Sequence, residues 1–145
     1  MVFFVKEFDE LTTGELYEII KSRTEIFLLE QQIVCQDLDD VDYESIHCFF
    51  RQGERVTAYL RAFLSKESPE TAIIGRVLTL DHGKGYGKAL MEKSMEEIKQ
   101  RFSCRRISLH AQKQAVGFYE KLGFSVASDE FLEEGVVHVT MVQML

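Results

Sequence analysis

Apolar residues recur along this chain with two periods, and the changes from one to the other outline its elements. Val2 to Val5 predicts a strand. Thr12-x-x-Glu15 has the spacing of a capping box, in which a hydroxyl and a carboxylate satisfy each other's backbone donors. It opens a helical run through Leu16, Ile19, Ile20, Arg23 and Phe27 that should end near Gln31. An acidic stretch follows, Asp37-Leu38-Asp39-Asp40-Val41-Asp42. Ile46 to Arg51 and Val56 to Leu64 then flank Gln52-Gly53-Glu54 as the arms of a hairpin, with Val56, Ala58, Leu60, Ala62 and Leu64 alternating along the second arm. Ile73 to Leu80 is apolar enough for a strand covered on both faces.

Beyond a glycine-rich loop, Met91, Met95, Ile98 and Phe102 share one face of a helix running from about Tyr86 to Arg101. Ile107, Leu109 and Ala111 alternate as a strand. Ala115, Phe118, Tyr119 and Leu122 form an apolar stripe on a short helix, stopped by Gly123 at a position where glycine turns left-handed without penalty. Phe124 to Ala127 and Val136 to Leu145 supply closing strands. This order predicts an α/β fold with a mixed sheet, because only the strand-helix-strand crossover demands a parallel pair. One domain over 1–145 is expected: the chain has no repeat, no low-complexity segment and a single proline, Pro69.

Composition narrows the function. A net charge of -7 argues against a nucleic-acid partner and is compatible with a positively charged small substrate. No apolar run is long enough for a membrane span or a secretory leader. Cys35, Cys48 and Cys104 form no Cys-x-x-Cys pair and read as reduced thiols of a cytoplasmic protein. His47, His82, His110 and His138 lack metal-ligand spacing, so no metal is expected.

The loop, Asp81-His82-Gly83-Lys84-Gly85-Tyr86-Gly87-Lys88-Ala89-Leu90, joins a strand's end to a helix start. Glycines let backbone N–H groups converge there, and the helix start adds unpaired donors and a positive dipole end, which together suit a phosphate. Two common phosphate loops do not fit. In a Walker-type loop, His82 would stand at the first glycine and Ala89 at the magnesium-binding hydroxyl. The dinucleotide fingerprint needs Gly-x-Gly-x-x-Gly, whereas these glycines run Gly83-x-Gly85-x-Gly87.

The loop resembles the pyrophosphate-binding loop of the GCN5-related N-acetyltransferase family. A second segment, from Leu109 through Gln112, Ala115 and Phe118-Tyr119-Glu120 to Gly123-Phe124, is similar to that family's later motif. Arg23 with Glu30-Gln31, Asp39 and Asp42 leading to His47, and Glu133 to His138 resemble the ElaA-like branch, so the likeness spans nearly the whole chain. His82 stands where Arg or Gln is usual, Gln112 where many members have Asn, and Val137 where the branch often has Pro.

The resemblance implies a sheet whose parallel strands splay apart to admit acetyl-coenzyme A, with helices flanking it. Carried over by position, Val77, Leu78 and Thr79 would pair with the pantetheine arm, and an amide near Leu78 would face the acyl oxygen. His82, Gly83, Lys84, Gly85, Tyr86, Gly87, Lys88 and Ala89 would hold the pyrophosphate, and Gln112 would approach the arm. Direct attack by an amine needs a neutral nucleophile, an oxyanion donor and a proton for the leaving thiolate. Tyr119 matches the family's frequent general acid; on residue pattern alone it is equally a core aromatic. Glu30, Glu133 and His138 are the candidates to bind the amine or remove its proton. The acceptor would be a small-molecule or peptide amine, and a homodimer is compatible with the resemblance. The alternative is a non-catalytic domain of the same fold that binds coenzyme as a sensor or interaction module.

Overall fold

The computed structural model describes all residues 1–145. Eight strands form one sheet: β1 (Val2–Glu7), β2 (Ile46–Gln52), β3 (Arg55–Leu64), β4 (Thr71–Thr79), β5 (Arg106–Gln112), β6 (Ser125–Val126), β7 (Phe131–Glu133) and β8 (Val136–Met144). The path through it is β1-β2-β3-β4-β5-β8-β6, with β7 also on β8. Every pairing is antiparallel except β4 with β5, the pair joined by the crossover helix α2 (Tyr86–Arg101).

Helix α1 (Thr13–Arg23) begins with the expected box: Glu15 N–H donates to Thr12 Oγ1, and the Glu15 carboxylate accepts from Thr12 N–H. The helix does not simply run on. Residues Thr24–Glu30 widen into a π-helical turn, with Gln31 N–H bonded to Ile26 C=O, and such turns are frequent near functional sites. Helix α1 covers one sheet face, where Ile19 and Ile26 pack with Phe49, Val56, Tyr59 and Leu78. Helix α2 and the short α3 (Val116–Lys121) cover the other, over a larger core that includes Leu60, Ile74, Leu90, Ile98, Leu109, Tyr119 and Met141. Gly123 ends α3 with φ +99, as its position predicts. Phe118, expected on the buried stripe, is instead partly exposed beside the start of α2.

The acidic stretch is not a solvated loop. Arg23, 1% exposed, donates through Nε to Asp37 and through Nη1 to Asp42 at 2.6 Å. Arg61 of β3 grips both oxygens of Asp39 at 2.7 Å, and Arg76 of β4 holds Asp37 at 2.8 Å. Hydrogen bonds from Arg61 hold the Asp39 carboxyl down at about 2. Burial alone would raise Asp42, but Arg23 and Arg61 outweigh it and lower it. Below this network His47 is buried between two partners: Tyr59 O–H donates to Nδ1, and Nε2–H donates to the Asp42 carbonyl. Burial therefore depresses its basicity.

Candidate active site

Parallel pairing of β4 with β5 runs from Thr71 opposite Arg106 to Ile74 opposite Leu109 and stops there. Just beyond, β4 carries a bulge: Tyr59 lies opposite Leu78 but Arg61 lies opposite Gly75, so β4 has one residue more than β3. Arg76, at that bulge, has φ +56. A bulge bends the strand that carries it, and a non-glycine residue keeps such a φ only where its surroundings over-determine it. Here Asp37 supplies both a carboxylate and a carbonyl to the Arg76 guanidinium. The acidic stretch thus pins the bend that parts the strands.

The gap is a cleft of about 640 Å³. The features that lead away from it along β4 are backbone. From Gly75 to Thr79 the edge of β4 toward β5 has no strand partner. Gly85 starts α2 with φ +78 and no side chain caps the helix; Gly83 has φ +77, and open space surrounds the position where each would carry a Cβ. Lys84 and Lys88 are exposed beside these donors. Gly87 is different. A Cβ there would meet the Phe118 ring at 3.3 Å and the Thr79 methyl at 3.7 Å, so this glycine lets α2 sit close to α3 and to the end of β4.

The sequence-derived candidates separate into two groups. Val77, Gln112, Tyr119, Glu133 and His138 line the cleft, whereas Thr79 and the loop residues His82, Gly83, Lys84, Gly85, Tyr86, Gly87, Lys88 and Ala89 lie outside its lining. The Leu78 side chain belongs to the α1 core, leaving its backbone as the relevant part. Tyr119 is 8% exposed; burial pushes its hydroxyl up to about 12, and no hydrogen bond contributes to that shift. Gln112 accepts from Gln114 and donates to Gln31 at 2.9 Å, so the end of β5 meets the end of the π turn. Glu30 lies outside the cleft lining. Its carboxylate stands 3.0 Å from His82 Nε2, both side chains exposed, and ties the π turn to the glycine loop.

The opposite wall contains residues that pattern reading did not single out. Arg61 and Arg76 face the cleft as part of the ion-pair network. Cys35 lines it as well, its thiol pushed up by burial and by Glu134 across the mouth. His110 donates from Nδ1 to Glu133 Oε1 at 2.8 Å, and Glu133 Oε2 lies 3.5 Å from His138 Nε2. The only sequence signal for His110 was its polarity within an alternating strand, which also describes any solvent-facing residue. No group of three or more His, Cys, Asp or Glu side chains is placed to hold a metal ion, and no helix is long and apolar enough to cross a membrane.

Residues 76–145 match the family model described as an acetyltransferase (GNAT) domain. A UPF0039 protein of Schizosaccharomyces pombe is 36% identical over 143 residues, covering 96% of this chain and 94% of the relative. The crystal structure of an acyl-CoA N-acyltransferase from Pseudomonas aeruginosa superposes with a TM-score of 0.91 at 27% identity, covering 99% of each chain. That of Escherichia coli ElaA gives 0.91 at 27% identity and 98% of each. The chain belongs to the GCN5-related N-acetyltransferase family, in its ElaA-like branch.

Proposed function

We propose that the chain transfers an acetyl group from acetyl-coenzyme A to an amine by direct attack. The observation that carries this reading is the parting of β4 from β5 beyond Ile74 and Leu109, which leads from a free strand edge to the uncapped start of α2. That geometry suits an extended arm ending in a pyrophosphate. Backbone groups of Val77 to Thr79 bind the arm, and the segment from Gly83 to Ala89 holds the phosphates with help from the exposed Lys84 and Lys88. His82 is tethered to Glu30 and closes the loop against the π turn. Gln112 borders the arm at the end of β5. Bound there, acetyl-coenzyme A supplies an acyl group activated as a thioester.

The chain's own groups then divide the proton work. Tyr119, its hydroxyl pushed up to about 12 by burial, is protonated at neutral pH as any tyrosine is, and it has a proton to give as a thiolate departs. The amide near Leu78 donates toward the acyl oxygen, where charge develops. His138 takes the proton of the amine. Its Nδ1–H donates to the Val136 carbonyl at 2.7 Å, which fixes the tautomer and leaves Nε2 as the free acceptor in the cleft. None of the cysteines is needed as a nucleophile.

The test is a panel of amines assayed for thiol release from acetyl-coenzyme A. At least one amine should raise release above the hydrolytic background. If coenzyme binds and no amine does so, the domain is a coenzyme-binding module without catalysis.

A further inference from the structure

The two ends of the sheet are finished differently. At one end β6 is two residues long and offers little edge to a partner. At the other, β1 is six residues, Val2-Phe3-Phe4-Val5-Lys6-Glu7, in unbroken register with β2 from Val2 opposite Arg51 to Glu7 opposite Ile46. It lacks the usual guards of an edge strand: there is no proline, no bulge and no free charge at its centre. Lys6 is its one cation, and both oxygens of Glu15 hold the amine, at 2.8 and 2.9 Å. Helix α1 packs mainly on β3 and β4, and α2 on β2, β3 and β4, so the outer rim of β1 is left open.

Strand alternation fixes which backbone groups point outward. Ser65 N–H donates to Thr71 C=O, so at that end of β3 the odd-numbered residues face β4 and the even-numbered ones face β2. Carried through Ala62 opposite Ile46 and Ile46 opposite Glu7, the alternation turns Val2, Phe4 and Lys6 toward β2 and Phe3, Val5 and Glu7 outward. The Glu7 amide agrees, since it donates to Glu10 Oε1. The outward N–H and C=O groups of Phe3 and Val5 have no partner within the chain.

We propose that this edge pairs with the same edge of a second copy of the chain, antiparallel about a two-fold axis at Phe4. In that register Phe3 of each copy lies opposite Val5 of the other, and each such pair exchanges both N–H···O=C bonds, which satisfies every outward group of the two residues. A shift of one residue sets outward-pointing groups against inward-pointing ones. A shift of two either sets Phe3 against Glu7, whose N–H is taken, or withdraws the two Phe4 rings from each other. The side chains suit the same register. The Phe4 residues form the non-hydrogen-bonded pair, with Cα atoms about 4.5 Å apart, where side chains come closest. Each Phe4 already stacks on Phe49 of its own β2 at 5.5 Å, so the axis joins four rings in one row. On the other face Phe3 meets Val5 twice, both partly buried against the larger core. No like charges are opposed, because Lys6 falls opposite Val2.

Sedimentation of the whole chain over a dilution series tests this and should show a dimer that dissociates to monomer. Val5→Pro deletes an N–H that β2 does not use, at an edge position where proline is tolerated. The variant should unfold at a denaturant midpoint close to that of wild type, while its dimer dissociation constant rises about tenfold or more. Amide exchange reads the same edge without a substitution, and decides the matter should Val5→Pro not fold. In the concentrated wild type the Phe3 and Val5 amides should be protected; on dilution they should exchange fast while Phe4 and Lys6, bonded to β2, stay slow. A chain that is monomeric at every concentration, a dimer unmoved by a folded Val5→Pro, or fast exchange at Phe3 and Val5 within the dimer would overturn the proposal.

Discussion

On one wall of the cleft β4 presents backbone N–H and C=O groups and leads to those of the glycine loop and the start of α2, set by strand pairing and by glycines at φ +77 and +78. On the other wall the groups are side chains from separated stretches: Arg61 and Arg76 from β3 and β4, Asp37 and Asp39 from the loop, and His110, Glu133 and His138 from β5, β7 and β8, with Arg23 of α1 and Asp42 buried behind them. A backbone wall tolerates exchange of most side chains provided the strand, the turn and the helix start keep their places. A side-chain wall depends on each residue and its partners. On the function proposed above, the backbone side is the coenzyme wall and the side-chain side the acceptor wall.

The comparison breaks most visibly at Arg23. Replacing it by Ala leaves Asp42 buried beside Arg61 alone and frees Asp37 from one of its two arginines. Breaking a buried pair by removing one partner costs about 3–5 kcal/mol. Urea unfolding should register a loss of that size, and with it a looser bulge at Arg76. A loss under about 1 kcal/mol would mean that the network is dispensable to the acceptor wall.

The coenzyme wall is sharpened by ligand-induced stabilisation. Acetyl-coenzyme A at 100 times its dissociation constant should add roughly 2.7 kcal/mol, read as a rise in melting temperature. ATP and NAD should add little, because the loop departs from both of their phosphate-binding patterns. Equal protection by ATP would point to generic phosphate binding.

The smallest effect concerns pH, and it belongs to the ion-pair network and the buried imidazole beneath it. Burial depresses His47 below its ordinary 6.5, so the unfolded chain takes up a proton before the folded one does. Its contribution to stability is present above about 6.5 and is lost as pH falls through the lower folded value. Asp39, held down at about 2 by Arg61, contributes in the same direction but later: its share is present above about 3.8 and lost toward 2. Two successive declines should therefore appear on acidification, and His47→Gln should remove the earlier one. A His47→Gln curve parallel to wild type between pH 7.5 and 5 would assign that decline to another group.

The same contrast explains what was legible in the sequence. The capping box at Thr12, the α2 span from Tyr86 to Arg101, the hairpin at Gly53 and the stop at Gly123 are local devices, and each is found where the pattern puts it. The glycine loop is legible for the same reason, though Gly87 is a packing glycine toward Phe118 as well as a helix-start residue. The bulge at Arg76 is not legible, since it depends on register against β3 and on Asp37, 39 residues away. Nor is the π turn, whose apolar spacing through Phe27 continues that of α1, or the strand β7, which exists through pairing with β8. The aspartates read as a charge run because their arginine partners lie at positions 23, 61 and 76. The Glu133–His110 contact is likewise a product of the β5–β8–β7 pairing.

Tyr119 stands on α3 with its ring in the main core while lining the cleft, and the central claim meets its most direct test there. Tyr119→Phe removes the one proposed proton donor and keeps the ring against Phe118 and Phe124. Because burial without a hydrogen bond sets the hydroxyl's acidity, the variant should unfold at nearly the same denaturant concentration as wild type. Acetyl-coenzyme A affinity should be close to wild type, while turnover with a productive amine should fall about 10²-fold or more under conditions where chemistry is rate-limiting. Turnover equal to wild type under those conditions would contradict the account and remove Tyr119 from the reaction.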